Sequence, residues 1–364
     1  MQTRIYKVDP WAPDPIVIEE AAGLLASGEV VAFPTETVYG LGANGLDSRA
    51  VKKIFAAKGR PADNPLILHI AEPETLHEIV ADIPERAQIL IRRFWPGPLT
   101  MVLPKKPEIP SEVTAGLSTV AVRMPAHPVA KALIAAAGVP VAAPSANISG
   151  RPSPTRAEHV WEDLAGKIAA VVDGGQCGIG LESTVIDLSG EVPYLLRPGG
   201  ITLEQLEAVL GRVEVAGEVA ASQTPKAPGM KYRHYAPKAP LWIVNAETTT
   251  QTLSLLNRLV EEDLARNEKV AVIASAETVA ALEEKARPGL ILRSLGSRNE
   301  PAVAAQNLFA ILREVDKAGA DVIYAEAVGT AGIGAAVMNR LYKAAGGRVI
   351  NPDPEPSERP GRAK

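Results

Sequence analysis

Polar and charged side chains that could handle a phosphorylated, carboxylate-bearing substrate recur along the first two hundred residues. They lie next to apolar runs rather than in a known loop signature. Thr35 sits in a polar turn, Pro34–Tyr39, directly after an apolar run. Lys58-Gly59-Arg60-Pro61 closes a helical pattern and is followed at once by Asp63-Asn64-Pro65. Arginine can grip a phosphate or carboxylate through a two-pronged fork, and lysine adds a point charge. On a solvated face the same residues would do no more than complement a helix dipole. Pro144-Ser145-Ala146-Asn147 follows the apolar run 139–143, and Ser149 and Ser153 continue it in a Gly/Pro-rich loop. Hydroxyl and amide groups just past the carboxyl end of a buried strand stand where α/β proteins dock ligands, and the backbone N–H groups of the Ser149–Ser153 loop could wrap phosphates.

Several familiar chemistries are absent. There is no GxxxxGK[ST] phosphate loop, and Ser145 is not in a GxSxG elbow. Gly40-Leu41-Gly42-Ala43-Asn44-Gly45 matches GxGxxG. A polar turn separates it from the preceding strand, so the glycines read as a tight turn ahead of a capped helix. His69 lies inside the run LILHI, where a hydrogen-bonded core histidine is the ordinary case. With a single cysteine, Cys177, and no second histidine at ligand spacing, zinc is not expected.

The elements that must position these groups follow from periodicity. The pattern predicts strands over 29–33, 66–70, 99–103, 119–123, 139–143, 168–173 and 184–188. It predicts helices over 16–27, 48–58, 84–94, 128–137 and 202–210. Asp47 or Ser48 caps the second helix, and Gly59 with Pro61 ends it. From residue 213 to 239 the period disappears, which reads as a linker. Its segment PGMKYRHYAP is rich in aromatic and basic residues for a simple tether. Strands over 241–245, 270–274, 290–293 and 321–326 then alternate with helices over 248–267, 278–285, 302–318 and 335–345. Such alternation predicts a small parallel, Rossmann-like sheet. The division is therefore 1–212, a linker 213–239, a second domain 240–350, and a Pro-rich, charged tail 351–364 expected to be disordered.

Bulk properties set outer limits. The chain has 364 residues, 46% hydrophobic, 22% charged and only 4% aromatic, so aliphatic cores are expected. The formal charge is −4, which argues against a surface that coats nucleic acid. No apolar run reaches the roughly 18 residues of a membrane span. One cysteine and no apolar leader point to a reducing, cytoplasmic setting.

Taken together, PTETVYGLG, KGRPADNPL, WPGPLT, AVRMPAHP, APSANISGRPSPT, ESTV and LLRPG occur in the order found in one family. The chain resembles the YrdC-type threonylcarbamoyl-AMP synthases. PGMKYRHYAP and the second α/β unit look like their long, two-domain form. The resemblance implies an α/β fold with an N-terminal twisted, open, mixed sheet flanked by helices. It implies condensation of L-threonine, bicarbonate and ATP to threonylcarbamoyl-AMP and pyrophosphate. A separate transferase would then use the adenylate to modify tRNA beside the anticodon. Thr35, His69, Arg123, Ala143 and Ser183 would hold threonine, with Ala143 acting through its backbone. Arg60, Asn64, Thr119, Ser145, Ser153 and Arg197 would hold ATP, and Lys58 and Arg60 would supply charge at the phosphates. Tyr232, His234 and Tyr235 would form a lid over the nucleotide, with Tyr235 against ATP, or would pack between the two domains. Mg2+ is implied with the phosphates, without a protein metal site.

Three other readings compete. An RNA-binding module with a basic concave surface is opposed by the acidic balance and sparse aromatics. A carbamoyl-phosphate-using relative would carry cysteine-rich zinc modules. A dinucleotide enzyme built on the second domain would need a better fingerprint than GTAGIG at Gly329.

Overall fold

Alternation of apolar side chains along short strands builds a sheet buried on both faces. Ala32 joins the apolar cluster on one face, with Leu41, Leu68, Val122 and the helix residues Val51 and Ile54. Its neighbours Val31 and Phe33 join the opposite cluster, with Val141, Leu25 and Leu133. In the computed structural model, which describes residues 2–217, 225, 234–284 and 287–352, this sheet has eleven strands among the described residues. Their spatial order is Arg4–Lys7, Ala170–Asp173, Val31–Phe33, Gly40–Asn44, Val141–Ala142, Ile67–His69, Thr119–Arg123, Leu99–Pro104, Thr184–Asp187, Tyr194–Arg197 and Glu214–Val215. Pairings are mixed: Ile67–His69 runs parallel to Thr119–Arg123 and antiparallel to Val141–Ala142.

The helix Ser48–Lys58 forms where its caps predict. The Asp47 carboxylate accepts from Arg49 N at 2.8 Å, and Gly59 closes the helix in the left-handed conformation at φ 60°. Its buried stripe is Ala50, Val51, Ile54 and Lys58. That stripe carries Lys58 inward, toward the sheet.

Two expectations are corrected. Residues 40–44 form a strand paired with both Val31–Phe33 and Val141–Ala142, and the turn is confined to Gly45-Leu46. Close packing explains these glycines. A Cβ on Gly42 would stand 2.7 Å from Phe33 Cε1 and 2.8 Å from Val141 Cγ1. The linker also begins later than residue 213, because Glu214–Val215 pairs parallel to Tyr194–Arg197 at the sheet edge.

The second sheet is wholly parallel, in the order Leu290–Ser294, Val270–Ala274, Val322–Glu326, Leu241–Val244 and Val349–Ile350. The helices Pro301–Lys317 and Gly334–Ala345 face the first unit. One apolar cluster runs across the junction, joining Val38 and Leu181 to Tyr235, Phe309, Met338 and Leu341. Buried charge crosses it too. Arg313 donates to Asp163 Oδ2 at 2.8 Å and to Pro152 O at 2.6 Å. The tail 353–364 and most of the predicted linker, Tyr232 included, lie outside the described residues.

Candidate active site

A cleft of about 700 Å³, its open mouth included, runs along the strand ends of the large sheet. His69 and Arg123 end neighbouring parallel strands and face each other in register. Arg123 is buried. Its Nε donates to Gly97 O at 3.2 Å and its Nη1 to Thr37 Oγ1 at 2.9 Å. Nη2 lies 2.7 Å from Glu36 Oε1, an ion pair outside hydrogen-bonding geometry. Thr35 Oγ1 donates to Val38 O at 2.7 Å and lies 2.8 Å from Thr37 Oγ1, so the Thr-Glu-Thr turn is locked. Burial, followed by the nearby Arg123 charge, pushes His69 down to about 3, so its ring is neutral. Ser183 Oγ lies 2.7 Å from Thr100 Oγ1 and accepts from Arg197 Nη2 at 3.2 Å. Ala143 also lines the cleft, but its N–H is already donated to Ile67 O at 2.9 Å, which leaves its carbonyl.

The other wall is more cationic. Arg60 turns back on its own loop, donating to Asn64 O at 3.2 Å and Pro65 O at 3.0 Å. Arg197 donates through Nε to Ser183 O at 3.1 Å, and burial, then the Arg340 charge, lowers it to about 10. Ser145 Oγ bonds to Asn147 Oδ1 at 2.5 Å. Ser153 Oγ bonds to Glu182 Oε1, also at 2.5 Å. His234 and Tyr235 close this side. The Tyr235 ring lies 5.5 Å from that of His234 and 5.0 Å from that of Phe309. Its backbone is in the left-handed region at φ 63°.

Three expected residues depart from their assigned places. Lys58 lines the cleft but is buried, and its ammonium donates to Ser145 O and Asn147 O, each at 2.6 Å. Burial, followed by the Arg60 charge, holds it well below the usual lysine range. These bonds tie it to the loop carrying Ser145. Thr119 lies outside the cleft walls, opposite Pro104 at the far end of the strand from Arg123. Four strand steps place them about 13 Å apart. Asn64 is buried beside the wall without lining it, and its Oδ1 accepts no hydrogen bond.

The cleft thus offers arginine forks, hydroxyls and two neutral imidazoles, but no activated nucleophile among the described residues. Cys177 is buried, and burial drives its thiol upward. Among the described residues no group of three or more His, Cys, Asp or Glu could hold a metal. Such a site suits alignment and charge stabilisation better than covalent catalysis.

Comparison with known proteins fits this arrangement. A family model described as "Telomere recombination" matches residues 23–199. A second, described as "Threonylcarbamoyl-AMP synthase, C-terminal domain", matches residues 201–346. The Bacillus subtilis threonylcarbamoyl-AMP synthase is 51% identical over 335 residues, covering 92% of this chain and 94% of its own. The Pyrococcus abyssi synthase is 52% identical, covering 92% and 95%. The chain belongs to the threonylcarbamoyl-AMP synthase family. The solved structure of P. abyssi Sua5 complexed with L-threonine superposes with a TM-score of 0.90 at 49% identity, over 96% of this chain and 99% of that one. Family membership makes the protein an enzyme of the two-domain form.

Reading of motifs missed Thr37 and Glu182 as lining residues. They sit inside PTETVYGLG and ESTV, so their positions were visible but their direction was not. Alternation along an irregular turn gives no face.

Proposed function

We propose that this enzyme condenses L-threonine, bicarbonate and ATP into threonylcarbamoyl-AMP and pyrophosphate. The N-carboxylated threonine attacks the α-phosphate through a carbamate oxygen, and pyrophosphate leaves. A separate transferase in the cytoplasm passes the threonylcarbamoyl group to tRNA beside the anticodon. Thr35, His69, Arg123, Ser183 and the Ala143 carbonyl hold threonine, with Arg123 taking its carboxylate. Arg60, Ser145, Ser153 and Arg197 hold ATP, and Arg60 and Arg197 carry the phosphate charge. Lys58 acts indirectly, by fixing the Ser145–Asn147 loop. Both carboxylates near the cleft, Glu36 and Glu182, are taken by arginines. Mg2+ would therefore ride on the phosphate oxygens and water, where it neutralises charge. His234 and Tyr235 form part of a lid that excludes water from the labile adenylate. Domain limits near residues 1–215 and 240–350 go with this reading.

One observation carries it: the side chains suited to an amino acid and those suited to a nucleotide share the walls of one cleft. The L-threonine complex of the P. abyssi relative supports threonine as a ligand of this fold. Pyrophosphate release should require threonine, bicarbonate and ATP together, with a product of threonylcarbamoyl-AMP mass. Release with any one omitted, or RNA binding without any release, would overturn the reading in favour of another adenylating activity or a binding module.

A further inference from the structure

Glu182 is out of place on a wall read as holding ATP. Its carboxylate is buried yet ionised. Burial pushes it up, but the charges of Arg340 and Arg197, with hydrogen bonds from Ser153 and its own backbone, together hold it at about 2. An uncompensated carboxylate beside a triphosphate would repel it strongly in a poorly solvated cleft.

Its ion-pair partner comes from the other half of the molecule. Arg340 lies on the helix Gly334–Ala345 and is fully buried. Nε donates to Glu182 Oε2 at 3.0 Å, and Nη2 lies 3.4 Å from Glu182 O. Nη1 donates to Pro198 O at 2.7 Å, next to Arg197. The guanidinium also lies 6.0 Å from the centre of the Tyr235 ring. One side chain therefore touches the carboxylate, the segment carrying Arg197, and the lid, without lining the cleft itself. A buried ion pair adds little net stability over apolar packing, so stability alone explains this arrangement poorly.

We propose that Arg340 is a positioning residue for ATP use: it cancels the Glu182 charge and holds that carboxylate against Ser153, giving the second domain control over the nucleotide side of the cleft. The inference rests on reading that side as the ATP site. The threonine side, about Arg123 and His69, receives no contact from Arg340.

The test uses the full chain and pyrophosphate-release kinetics, with threonine binding followed separately by calorimetry. Arg340→Gln should raise the KM for ATP about tenfold or more, while the threonine dissociation constant changes less than about twofold. Adding Glu182→Gln to that variant removes the uncompensated charge and should bring the ATP KM back to within about threefold of the parent. Equal weakening of ATP and threonine in Arg340→Gln, or no rescue in the double variant, would overturn the proposal. If the single variant does not fold, the double variant decides. Normal ATP use there supports the proposal, and lost ATP use with intact threonine binding refutes it. Arg60→Ala separates the two levels of argument. If it raises the ATP KM and Arg340→Gln does not, only the role of Arg340 fails; if neither does, the ATP reading of the cleft fails.

Discussion

At the residue scale, Arg123 has the most to lose. Its guanidinium is buried among Gly97 O, Thr37 and Glu36. Arg123→Ala should weaken threonine binding by about 2–5 kcal/mol and ATP use far less. Calorimetry with each ligand checks this, and equal losses would remove Arg123 from the threonine side. The histidines give a pH signature. His69, His159 and His234 are each pushed down to about 3, with burial the first cause. The unfolded chain takes up these protons near 6.5 and the folded chain does not. Their contribution to stability is complete above about 6.5 and is lost as pH falls toward 3, by up to about 2 kcal/mol per histidine at pH 5. The urea midpoint should fall from pH 7 to pH 5, and His159→Gln should narrow that gap. An unchanged gap would mean the ring is not shielded. Thr35 and Arg60 were legible as cleft residues, because each follows a predicted strand or helix, whereas Arg123 and Arg197 came from the resemblance. The bonding of Lys58 was not, because its partners are carbonyls of a loop about ninety residues away in sequence.

At the element scale, the capped helix Ser48–Lys58 was legible to the residue, because Asp47 and Gly59 are local signals. The strand Gly40–Asn44 was not. A glycine that permits a turn and a glycine that makes room for a neighbour look alike in one dimension. Here the neighbours are Phe33 and Val141, and neither Gly40 nor Gly42 has a positive φ. Gly42→Ala should therefore overpack the sheet centre and cost about 1–3 kcal/mol. A thermal melt no lower than the parent's would show that Phe33 and Val141 can give way freely. The edge strand Arg4–Lys7, only four residues long, escaped periodicity for another reason: its pattern is mostly exposed.

At the scale of the whole molecule, the sequence divides into two α/β units, and the packing joins them. Asp163 lies on one unit and Arg313 on the other, and both are almost fully buried. Arg313→Ala should leave Asp163 with only the partly exposed Arg151 as counter-charge and lower stability by about 1–3 kcal/mol, read as a shifted denaturant midpoint. A shift below about 1 kcal/mol would place that contact among ordinary surface pairs. Nothing in composition or period announces such a junction, since its partners lie far apart in the chain and each looks like a solvated charge. Tyr235 draws a last consequence from it. Its backbone occupies a region where only glycine is at ease, and its ring rests on Phe309 beneath Arg340. The ring contacts are what hold that backbone in tension. A movement that lifted Tyr235 off Phe309 would relax the chain as it opened the cleft. On the lid reading proposed above, departure of a finished product would be helped by the strain released as Tyr235 lifts.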